Sequence, residues 1–240
     1  MIELNKVDFL KSGIEAIASF IPEGNFRFND KGIHLRAIDP SQIVLVDYSI
    51  DKSVFDSFSI EPSFVGINLT ELNKIISRAM QTDKIIIDLN DSEFKIDFKG
   101  ELDRSFTLPL IDVSEEDLKL PESEYDAVVE INAKILKEAL KDTSLFSSSI
   151  VLKVDNGKFF LESQGTAGKV RADSAHAKKV KVKSSAKVTS KYSLTYLQNI
   201  VKEADPESII KLELKSDSAM KVSFSIGKSE IKFYLAHMLL

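Results

Sequence analysis

The residues most able to do chemistry in this chain are the carboxylates of one short stretch. DVSEEDLKLPESEYD, at 112–126, carries seven acidic side chains against a single lysine, with apolar residues at Leu118, Leu120 and Tyr125. Paired carboxylates can act as general acid and base, but a catalytic carboxylate needs an apolar or charge-coupled pocket that shifts its pKa. This stretch is polar and contains Pro121. It is therefore either an acidic active-site loop or, as its composition favours, a connection whose apolar residues contact a protein surface.

Other signatures of catalysis or cofactor binding are absent from the sequence. There is no cysteine, and the three histidines (His34, His176 and His237) are scattered, so neither a thiolate nor a histidine metal site is indicated. The chain contains no GxxxxGK[ST], GxGxxG, GxSxG or HExxH motif. We therefore predict a protein that is not an enzyme and that holds no metal and no cofactor.

The composition describes a chain that can build a substantial core. It has 240 residues, of which 43% are apolar and 29% charged, which suits one large domain or two ordinary ones. No apolar run approaches the roughly 20 residues that span a bilayer, and the N-terminus lacks the apolar core of a signal peptide. We therefore expect a soluble intracellular protein with no membrane partner. The net charge of −5 argues against general attraction to nucleic acid but leaves room for a local basic face.

Two parts of the chain match each other. NLTELNKIISRA (68–79) and SLTYLQNIVKEA (193–204) share a helix-capping residue, Leu-Thr, and apolar residues at the same offsets. Upstream, VDFLKSGIEAIASFI and AKILKEALKDTSLF each precede a predicted hairpin whose turn holds Asn, Asp or Gly. The chain is therefore predicted to contain two copies of one unit.

Each copy reads as a strand, a helix, a hairpin, further strands, a second helix, another hairpin and a final strand. Two helices among many short alternating strands indicate an α+β domain whose helices cover one face of an antiparallel sheet. We predict two similar domains of this kind, at 1–111 and 127–240. The acidic stretch then lies between the copies, which favours a tether over an active site.

The predicted helices share a polar, mildly basic face opposite their apolar stripe. For any one helix such a face is typical of ordinary solvated surface. Its recurrence in an otherwise acidic chain favours contact with phosphates, because a lysine beside a phosphate releases a counterion and gives sequence-independent, salt-sensitive attraction. No clustered aromatic residues indicate base stacking. The candidate DNA-binding residues are Lys11, Lys74, Arg78, Lys134, Lys137, Lys141 and Lys202.

The chain resembles the sliding clamps of the proliferating cell nuclear antigen family, archaeal type. The resemblance extends over essentially the whole chain, in order and with similar spacing, so no one motif carries it. The matching stretches are GIHLRAIDPSQIVLVDYSI (32–50), NLTELNKIISRA (68–79), LPLIDVSEEDLKLPESEYDAVVEI (108–131), SLTYLQNIVKEA (193–204) and IKFYLA (231–236).

This resemblance implies an architecture and a set of partners. In the family, two-domain chains joined by a connector loop assemble three to a ring, with helices lining the hole and duplex DNA threading it. The ring keeps a polymerase on its template, so the expected function is that of a processivity factor. Expected partners are double-stranded DNA, other clamp subunits, and the replicative polymerase, clamp loader, flap nuclease and ligase, which bind through short peptide motifs. The expected location is the cytoplasm of an archaeon, or the nucleus if the source is eukaryotic.

The resemblance also implies two protein-binding surfaces. The acidic stretch corresponds to the interdomain connector, here 112–126, beneath which family members bind partner peptides in an apolar pocket. The positions that match this pocket are Ile38, Ile43, Leu45, Leu118, Leu120, Pro121, Tyr234 and Ala236. Alternatively, Leu118 and Leu120 simply hold the connector on its own domain. Ring closure in the family pairs edge strands, here RSFTLPL (104–110) and GKVRADS (168–174) of a neighbour, and the residues placed at this joint are Phe106, Leu108, Val170 and Ala172.

Three features leave alternatives open. The chain ends LAHMLL, with His237 where the family has proline, and this affects the C-terminal wall of the peptide pocket. AHAKKVKVKSSAK (175–187) is basic where many relatives are acidic, although its alternation also fits an amphipathic strand. The ring could be a homotrimer or a heterotrimer of paralogues, and an unrelated two-domain α+β binding protein is the third reading.

Overall fold

The computed structural model describes residues 1–112, 118–121 and 124–239. The described residues of the first half form nine strands and two α-helices: β1 (Ile2–Leu4), α1 (Asp8–Ala18), β2 (Glu23–Asn29), β3 (Gly32–Ile38), β4 (Val44–Asp51), β5 (Ser57–Phe58), β6 (Ser63–Asn68), α2 (Leu69–Ile76), β7 (Lys84–Leu89), β8 (Glu93–Lys99) and β9 (Arg104–Pro109). A 3-10 turn follows β4 at Lys52–Val54.

The second half repeats this order. Its described residues form β10 (Ala127–Asn132), α3 (Ala133–Ser144), β11 (Ser149–Asp155), β12 (Lys158–Gly165), β13 (Gly168–Asp173), β14 (Val180–Ser184), β15 (Val188–Ser193), α4 (Leu194–Val201), β16 (Ile209–Leu214), β17 (Met220–Ile226) and β18 (Ser229–Leu235). Strand pairing repeats as well: β1 pairs with β5 and β7 as β10 pairs with β14 and β16, and β2 pairs with β3 and β6 as β11 pairs with β12 and β15. The predicted duplication and the α+β class, with two helices in each copy, are confirmed.

The chain divides into two compact units. Unit 1 holds Met1–Leu118 and Ser225–Ile231, and unit 2 holds Lys119–Phe224 and Lys232–Leu240. In unit 1 the strands run in the orders β5-β1-β7-β8-β9 and β4-β3-β2-β6; in unit 2 they run in the orders β14-β10-β16-β17 and β13-β12-β11-β15. The domain limits predicted at 111 and 127 remain predictions.

Alternation of apolar and polar residues places the core of unit 1 between its helices and strands. Leu10 and Ile14 of α1 and Leu72 and Ile76 of α2 meet strand residues such as Phe26 around an apolar cavity of about 30 Å³. Each of these five side chains is nearly or fully buried. The apolar stripe predicted for 68–79 is therefore the surface that α2 places on the strands, which leaves the opposite helix face to solvent.

The second helix of each copy is shorter than its sequence pattern predicts. Asn68 starts α2 by accepting a hydrogen bond from the Glu71 amide at 2.9 Å, as a capping residue does. The predicted helix 68–79 ends at Ile76, because the amide of Ala79 bonds three residues back, to Ile76 O, instead of four. In α4 the amide of Ala204 likewise bonds to Val201 O. Both second helices thus finish in a tighter 3-10 turn.

One close packing contact distinguishes α1 from its counterpart α3. The buried ring of Tyr48 lies so near Gly13 that a β-carbon there would come within 2.2 Å of the phenol oxygen. Burial raises the pKa of Tyr48 to about 12. The equivalent position in α3 is Ala139, which is half-buried. Glycine in α1 therefore accommodates a large aromatic residue that the second copy does not place there.

Helices that could cross a membrane do not occur in the part of the chain that the structure describes.

Candidate functional site

The seven predicted DNA-binding residues all lie on the four helices or in the turns that end α2 and α4. The structure separates them into two groups by what their cationic groups contact. Five side chains are exposed, and they form the exposed set: Lys74, Arg78, Lys134, Lys141 and Lys202. Lys74 pairs with Glu71 and Lys141 pairs with Glu138, each an acid on the same helix at 2.7 Å. Exposed pairs of this kind contribute little to stability, so they hold the two lysines only weakly.

Lys11 and Lys137 form the anchored set, because their ammonium groups bond to the end of the neighbouring helix. Lys11 of α1 donates to the carbonyl of Ala79, beyond α2, at 3.0 Å. Lys137 of α3 donates to the carbonyls of Lys202 and Ala204, beyond α4, at 2.7 and 2.6 Å. A cation at a helix C-terminus satisfies orphan carbonyls and interacts favourably with the helix dipole. These lysines occupy equivalent places in the two copies and join the helix pair of each unit.

Burial distinguishes Lys137 further from the exposed lysines. Partial desolvation lowers the pKa of Lys137, while the nearby acids Glu203 and Asp205 act in the opposite direction. A lysine withdrawn from water and committed to two carbonyls has less charge to offer a phosphate than a solvated one. The predicted basic face therefore consists of the anchored set, which joins helices, and the exposed set, which faces solvent.

The loop between β3 and β4 carries part of the predicted peptide pocket. Asp39 is buried, and its carboxylate accepts hydrogen bonds from the amides of Ser41, Ile43 and Val44 at 3.0, 2.7 and 2.6 Å. Asp-Pro at the start of this loop is a typical turn sequence, and the carboxylate fixes the loop by bonding to amides that follow it. Ile43 is thereby held half-exposed at the end of a rigid turn.

The other pocket candidates of unit 1 differ in exposure. Ile38 is 38% exposed, which is unusual for an isoleucine, whereas Leu45 is 8% exposed and belongs mainly to the core. Leu118, the first described residue after 112, is half-buried. Its carbonyl accepts a hydrogen bond from Arg36 Nη1 of β3 at 3.0 Å. Within unit 1, the structure therefore leaves Ile38 and Ile43 accessible and ties the connector to β3 at Leu118.

Unit 2 contains the remaining pocket candidates. Leu120 and Ala236 are half-buried, Pro121 is exposed, and Tyr234 is buried, with 6% exposure. His237, which stands in place of the proline of the family, is exposed. The amide after it, that of Met238, bonds to the Lys191 carbonyl of β15 at 2.7 Å. The altered C-terminus is therefore held along β15 by its backbone.

Three of the seven acidic residues at 112–126 lie in the described part of the chain. Glu115, Glu116, Asp117 and Glu122 fall outside the described residues. Asp112 and Glu124 are exposed, and Asp126 is half-buried. Across 1–112, 118–121 and 124–239, no group of three or more His, Cys, Asp or Glu side chains is placed to hold a metal ion.

The predicted interface strands, β9 and β13, are both end strands, so their predicted edge position is confirmed. Phe106, Val170 and Ala172 are half-buried, and Leu108 is 9% exposed. The Phe106 ring packs against Phe98 of β8, with 5.2 Å between centroids. Each strand thus offers one unpaired backbone edge to another chain.

Each of the other end strands in the described part of the chain forms a backbone bridge at its edge, is very short or carries lysines that oppose pairing. Gly66 of β6 bridges to Ile111, and Lys191 of β15 bridges to Met238. β5 has two residues. β14 lies within the basic segment 175–187, where its lysines are exposed and its valines half-buried, as an amphipathic strand requires. Lysines on an edge oppose strand addition, so β9 and β13 are the edges best suited to pairing.

Two charge clusters escaped prediction. On β3 and β4, Arg36 Nε and His34 Nε2 contact Asp47 Oδ1 at 3.1 and 2.7 Å. Burial alone would raise the pKa of Asp47, but hydrogen bonds from His34 and Arg36 outweigh it and leave that pKa below its ordinary value. The signal was available, because Arg36 and Asp47 lie at equal distances from the turn between the two strands, where a hairpin brings them opposite each other.

The second missed cluster lies at the start of β9. Arg104 forms an ion pair with the fully buried Asp83, which also accepts the Met80 amide at 2.7 Å. Nothing in the sequence distinguishes these residues from other acids and bases, because they meet only when the turn after α2 packs against β9.

Comparison with known proteins places these features in a family context. The model of the proliferating cell nuclear antigen N-terminal domain matches residues 1–121, and that of the C-terminal domain matches residues 119–238. A protein of Methanococcus vannielii named DNA polymerase sliding clamp is 34% identical over 239 residues, which cover 97% of this chain and 96% of the relative. DNA polymerase sliding clamp 1 of Thermococcus kodakarensis is 31% identical and covers 93% of this chain and 92% of its own length.

The fold has a close counterpart among solved structures. The crystal structure of PCNA from Thermococcus kodakaraensis matches with a TM-score of 0.93 over 99% of both chains, at 23% identity. At that identity the likeness establishes a shared fold, and it confirms the clamp fold that the family resemblance implies.

Proposed function

The chain belongs to the proliferating cell nuclear antigen family, and from this premise we propose that three clamp subunits encircle duplex DNA and tether replication and repair enzymes to it. It is a DNA sliding clamp. The ring, the DNA-contacting residues and the peptide pocket are the proposed parts of this function.

The observation that carries the ring is the pair of open edges at β9 and β13. One edge lies in each unit, and the two strands differ, so pairing β9 of one copy with β13 of the next is a head-to-tail contact. Such a contact repeats until the ring closes. The half-buried Phe106 on β9 and Val170 and Ala172 on β13 would supply apolar contact at each joint.

The exposed set supports the proposal that DNA is held without sequence preference. These five cations lie on or next to helices of both units, and Glu71 and Glu138, the partners of Lys74 and Lys141, are themselves exposed. Lysine and arginine contacts to phosphate position a protein on DNA without reading bases. Weak, salt-sensitive contact of this kind suits a ring that slides.

A topological test distinguishes encirclement from simple affinity. The clamp is loaded with its own clamp loader onto a nicked circular plasmid, separated from free protein by gel filtration, and the plasmid is then cut once. We expect the clamp to remain on the intact circle and to leave the linear product, because a ring slides off free ends. Equal retention on cut and uncut plasmid would contradict encirclement.

Size measurement on the same preparation tests ring composition. A trimer that forms from this chain alone agrees with a homotrimer. A monomer that loads only when paralogous chains are added agrees with the heterotrimer alternative, which no specific observation favours. A stable monomer that never loads would contradict both forms of the ring.

We propose that short partner peptides bind at the connector, with Leu118 and the accessible Ile38 and Ile43 as contacts in unit 1. The occupant is a peptide with aromatic anchors and basic flanks, because the surface is apolar and the connector beside it is acidic. The replicative polymerase, clamp loader, flap nuclease and ligase are the proposed sources of such peptides.

Leu118→Ala is expected to weaken binding of such a peptide by roughly 1–3 kcal/mol, because truncating an anchor contact removes buried apolar area. Isothermal titration of a peptide with an aromatic anchor and basic flanks measures the change. Leu102→Ala is the matched control, because Leu102 is 68% exposed in the turn before β9. Equal affinities for the Leu118 and Leu102 variants would show that Leu118 only holds the connector.

A further inference from the structure

We propose that Arg36 is the positioning residue of the peptide-binding surface: it fixes the connector through the Leu118 carbonyl, and Asp47 in turn fixes Arg36. The inference rests on the proposed function, since the connector is taken as part of the peptide-binding surface. All three residues lie in unit 1.

The first step is the contact between Arg36 and the connector. Arg36 Nη1 donates to the Leu118 carbonyl at 3.0 Å across 82 positions of sequence. None of Leu118, Lys119 and Leu120 belongs to a helix or strand. A segment without regular backbone pairing is positioned by such individual bonds. Fixing this carbonyl fixes the peptide plane that joins Leu118 to Lys119.

The second step is the contact that fixes Arg36 itself. Asp47 lies directly opposite Arg36 in the β3–β4 pair, so both side chains leave the same sheet face. Arg36 Nε donates to Asp47 Oδ1 at 3.1 Å, and the side chain of Asp47 is 13% exposed. A guanidinium is a rigid planar fork, so one bond to Asp47 sets the direction in which Nη1 points. Asp47 therefore acts on the connector only through Arg36.

His34 completes the cluster from the other side of Asp47. Its Nε2 lies 2.7 Å from Asp47 Oδ1, so Arg36 and His34 share one carboxylate oxygen. The imidazole thereby fixes the orientation of the carboxylate. The cluster forms one chain of contacts that runs from His34 through Asp47 and Arg36 to the connector.

Backbone NMR relaxation tests the anchor without any peptide. In Arg36→Met, the order parameter of the Lys119 amide is expected to fall from the range of rigid backbone, about 0.85, toward that of flexible chain, below about 0.6, because the peptide plane that joins Leu118 to Lys119 loses its anchor. Arg36→Lys should recover only part of this order, because lysine keeps the charge but lacks the fork. Arg27→Met is the matched control: Arg27 is a neighbouring arginine on β2 that lies opposite His34 and stacks on Phe64.

Peptide titration tests the consequence for binding. Arg36→Met is expected to lower the affinity for the peptide by about threefold to tenfold. Asp47→Asn is expected to lower it by a similar or smaller factor. In the Arg36→Met background, Asp47→Asn should add almost nothing, because its effect passes through the arginine. If these residues acted on stability alone, the two substitutions would have additive effects on the free energy of unfolding. The affinity of the folded protein for the peptide would then stay unchanged.

The outcomes separate this inference from the proposed function. An unchanged order parameter at the Lys119 amide in Arg36→Met overturns the anchor, even if the peptide binds the parent protein. A parent protein that binds no peptide overturns the peptide surface, while the order parameter still decides the anchor. Equal effects of Asp47→Asn in both backgrounds overturn the part assigned to Asp47. If Arg36→Met fails to fold, Arg36→Lys and Asp47→Asn carry the same comparison.

Discussion

Arg104→Met is expected to lower the free energy of unfolding of unit 1 by about 3–5 kcal/mol, because it leaves a buried carboxylate without its counter-ion. The side chain of Asp83 is fully buried, and Arg104 Nη2 is the cation that contacts it. Arg104 Nη1 also donates to the Arg78 carbonyl, after α2, at 3.0 Å. The substitution therefore removes an ion pair and a bond to the end of a helix together.

The same substitution is expected to disturb the β9 edge. The Arg104 guanidinium lies 5.0 Å from the centre of the Phe98 ring, and Phe98 packs on Phe106. Phe106 is proposed to lie at the subunit joint. If β9 closes the ring, the variant should dissociate at higher protein concentrations than the parent does, in addition to being less stable.

Chemical denaturation and amide exchange in β8 measure the stability change, and light scattering over a dilution series measures assembly. Lys99→Met is the matched control, because Lys99, at the end of β8, pairs with Asp103 in the turn before β9 at 2.8 Å, with both side chains well exposed. Exposed pairs contribute at most about 1 kcal/mol. An Arg104 variant as mild as this control would show that Asp83 finds water or another partner when the arginine is gone.

A second substitution at the buried acid identifies the cause. Arg104→Met combined with Asp83→Leu should recover part of the lost stability, because replacing both members of a buried pair by apolar residues removes the isolated charge. Recovery is expected to be incomplete, since the Met80 amide loses its acceptor. No recovery at all would point to lost packing of the arginine stem as the main effect.

Local patterns predicted most of the fold. The matching helices at 68–79 and 193–204 were recognisable because an apolar stripe and a capping residue recur at fixed offsets, and α2 and α4 lie there. The C-terminal ends of these two helices were less predictable. Apolar periodicity continues to Ala79 and Ala204, but the backbone has already tightened into 3-10 turns, and side-chain spacing carries little information about that change.

The division of the basic residues could not be predicted from spacing. Lys11 and Lys137 fall on helix faces as polar as those of Lys74 and Lys202. Only the approach of the neighbouring helix end turns the first two inward, onto carbonyls 68 and 67 positions away. The bond between Arg36 and Leu118 is equally long-range. Such contacts depend on packing between elements, which periodicity within one element does not record.

Replacing lysine by methionine is expected to have different effects in the two sets: it lowers DNA affinity in the exposed set and stability in the anchored set. Lys74→Met combined with Lys202→Met should reduce the slope of log affinity against log salt for a short duplex by about 2 per contacting subunit. At about 0.1 M salt this is a loss on the order of tenfold to a hundredfold. Stability should change by less than about 1 kcal/mol, because both side chains are exposed.

Lys11→Met combined with Lys137→Met removes the same charge from the anchored set. Each substitution leaves helix-end carbonyls without a charged donor, so stability is expected to fall by about 1–3 kcal/mol in the unit that carries it. The salt slope should remain close to that of the parent protein. Fluorescence anisotropy of a labelled linear duplex at several salt concentrations, with denaturation of each variant, gives both quantities.

This comparison decides between position and net charge as the origin of DNA affinity. Both variants lose two positive charges per chain, so an affinity set by overall charge would weaken equally in the two cases. An affinity set by solvated cations that reach phosphates would weaken only in Lys74→Met/Lys202→Met. A drop in salt slope confined to Lys11→Met/Lys137→Met would reverse the assignment: duplex contact would then require the helix-end lysines to leave their carbonyls, and binding to DNA would oppose the packing within each unit.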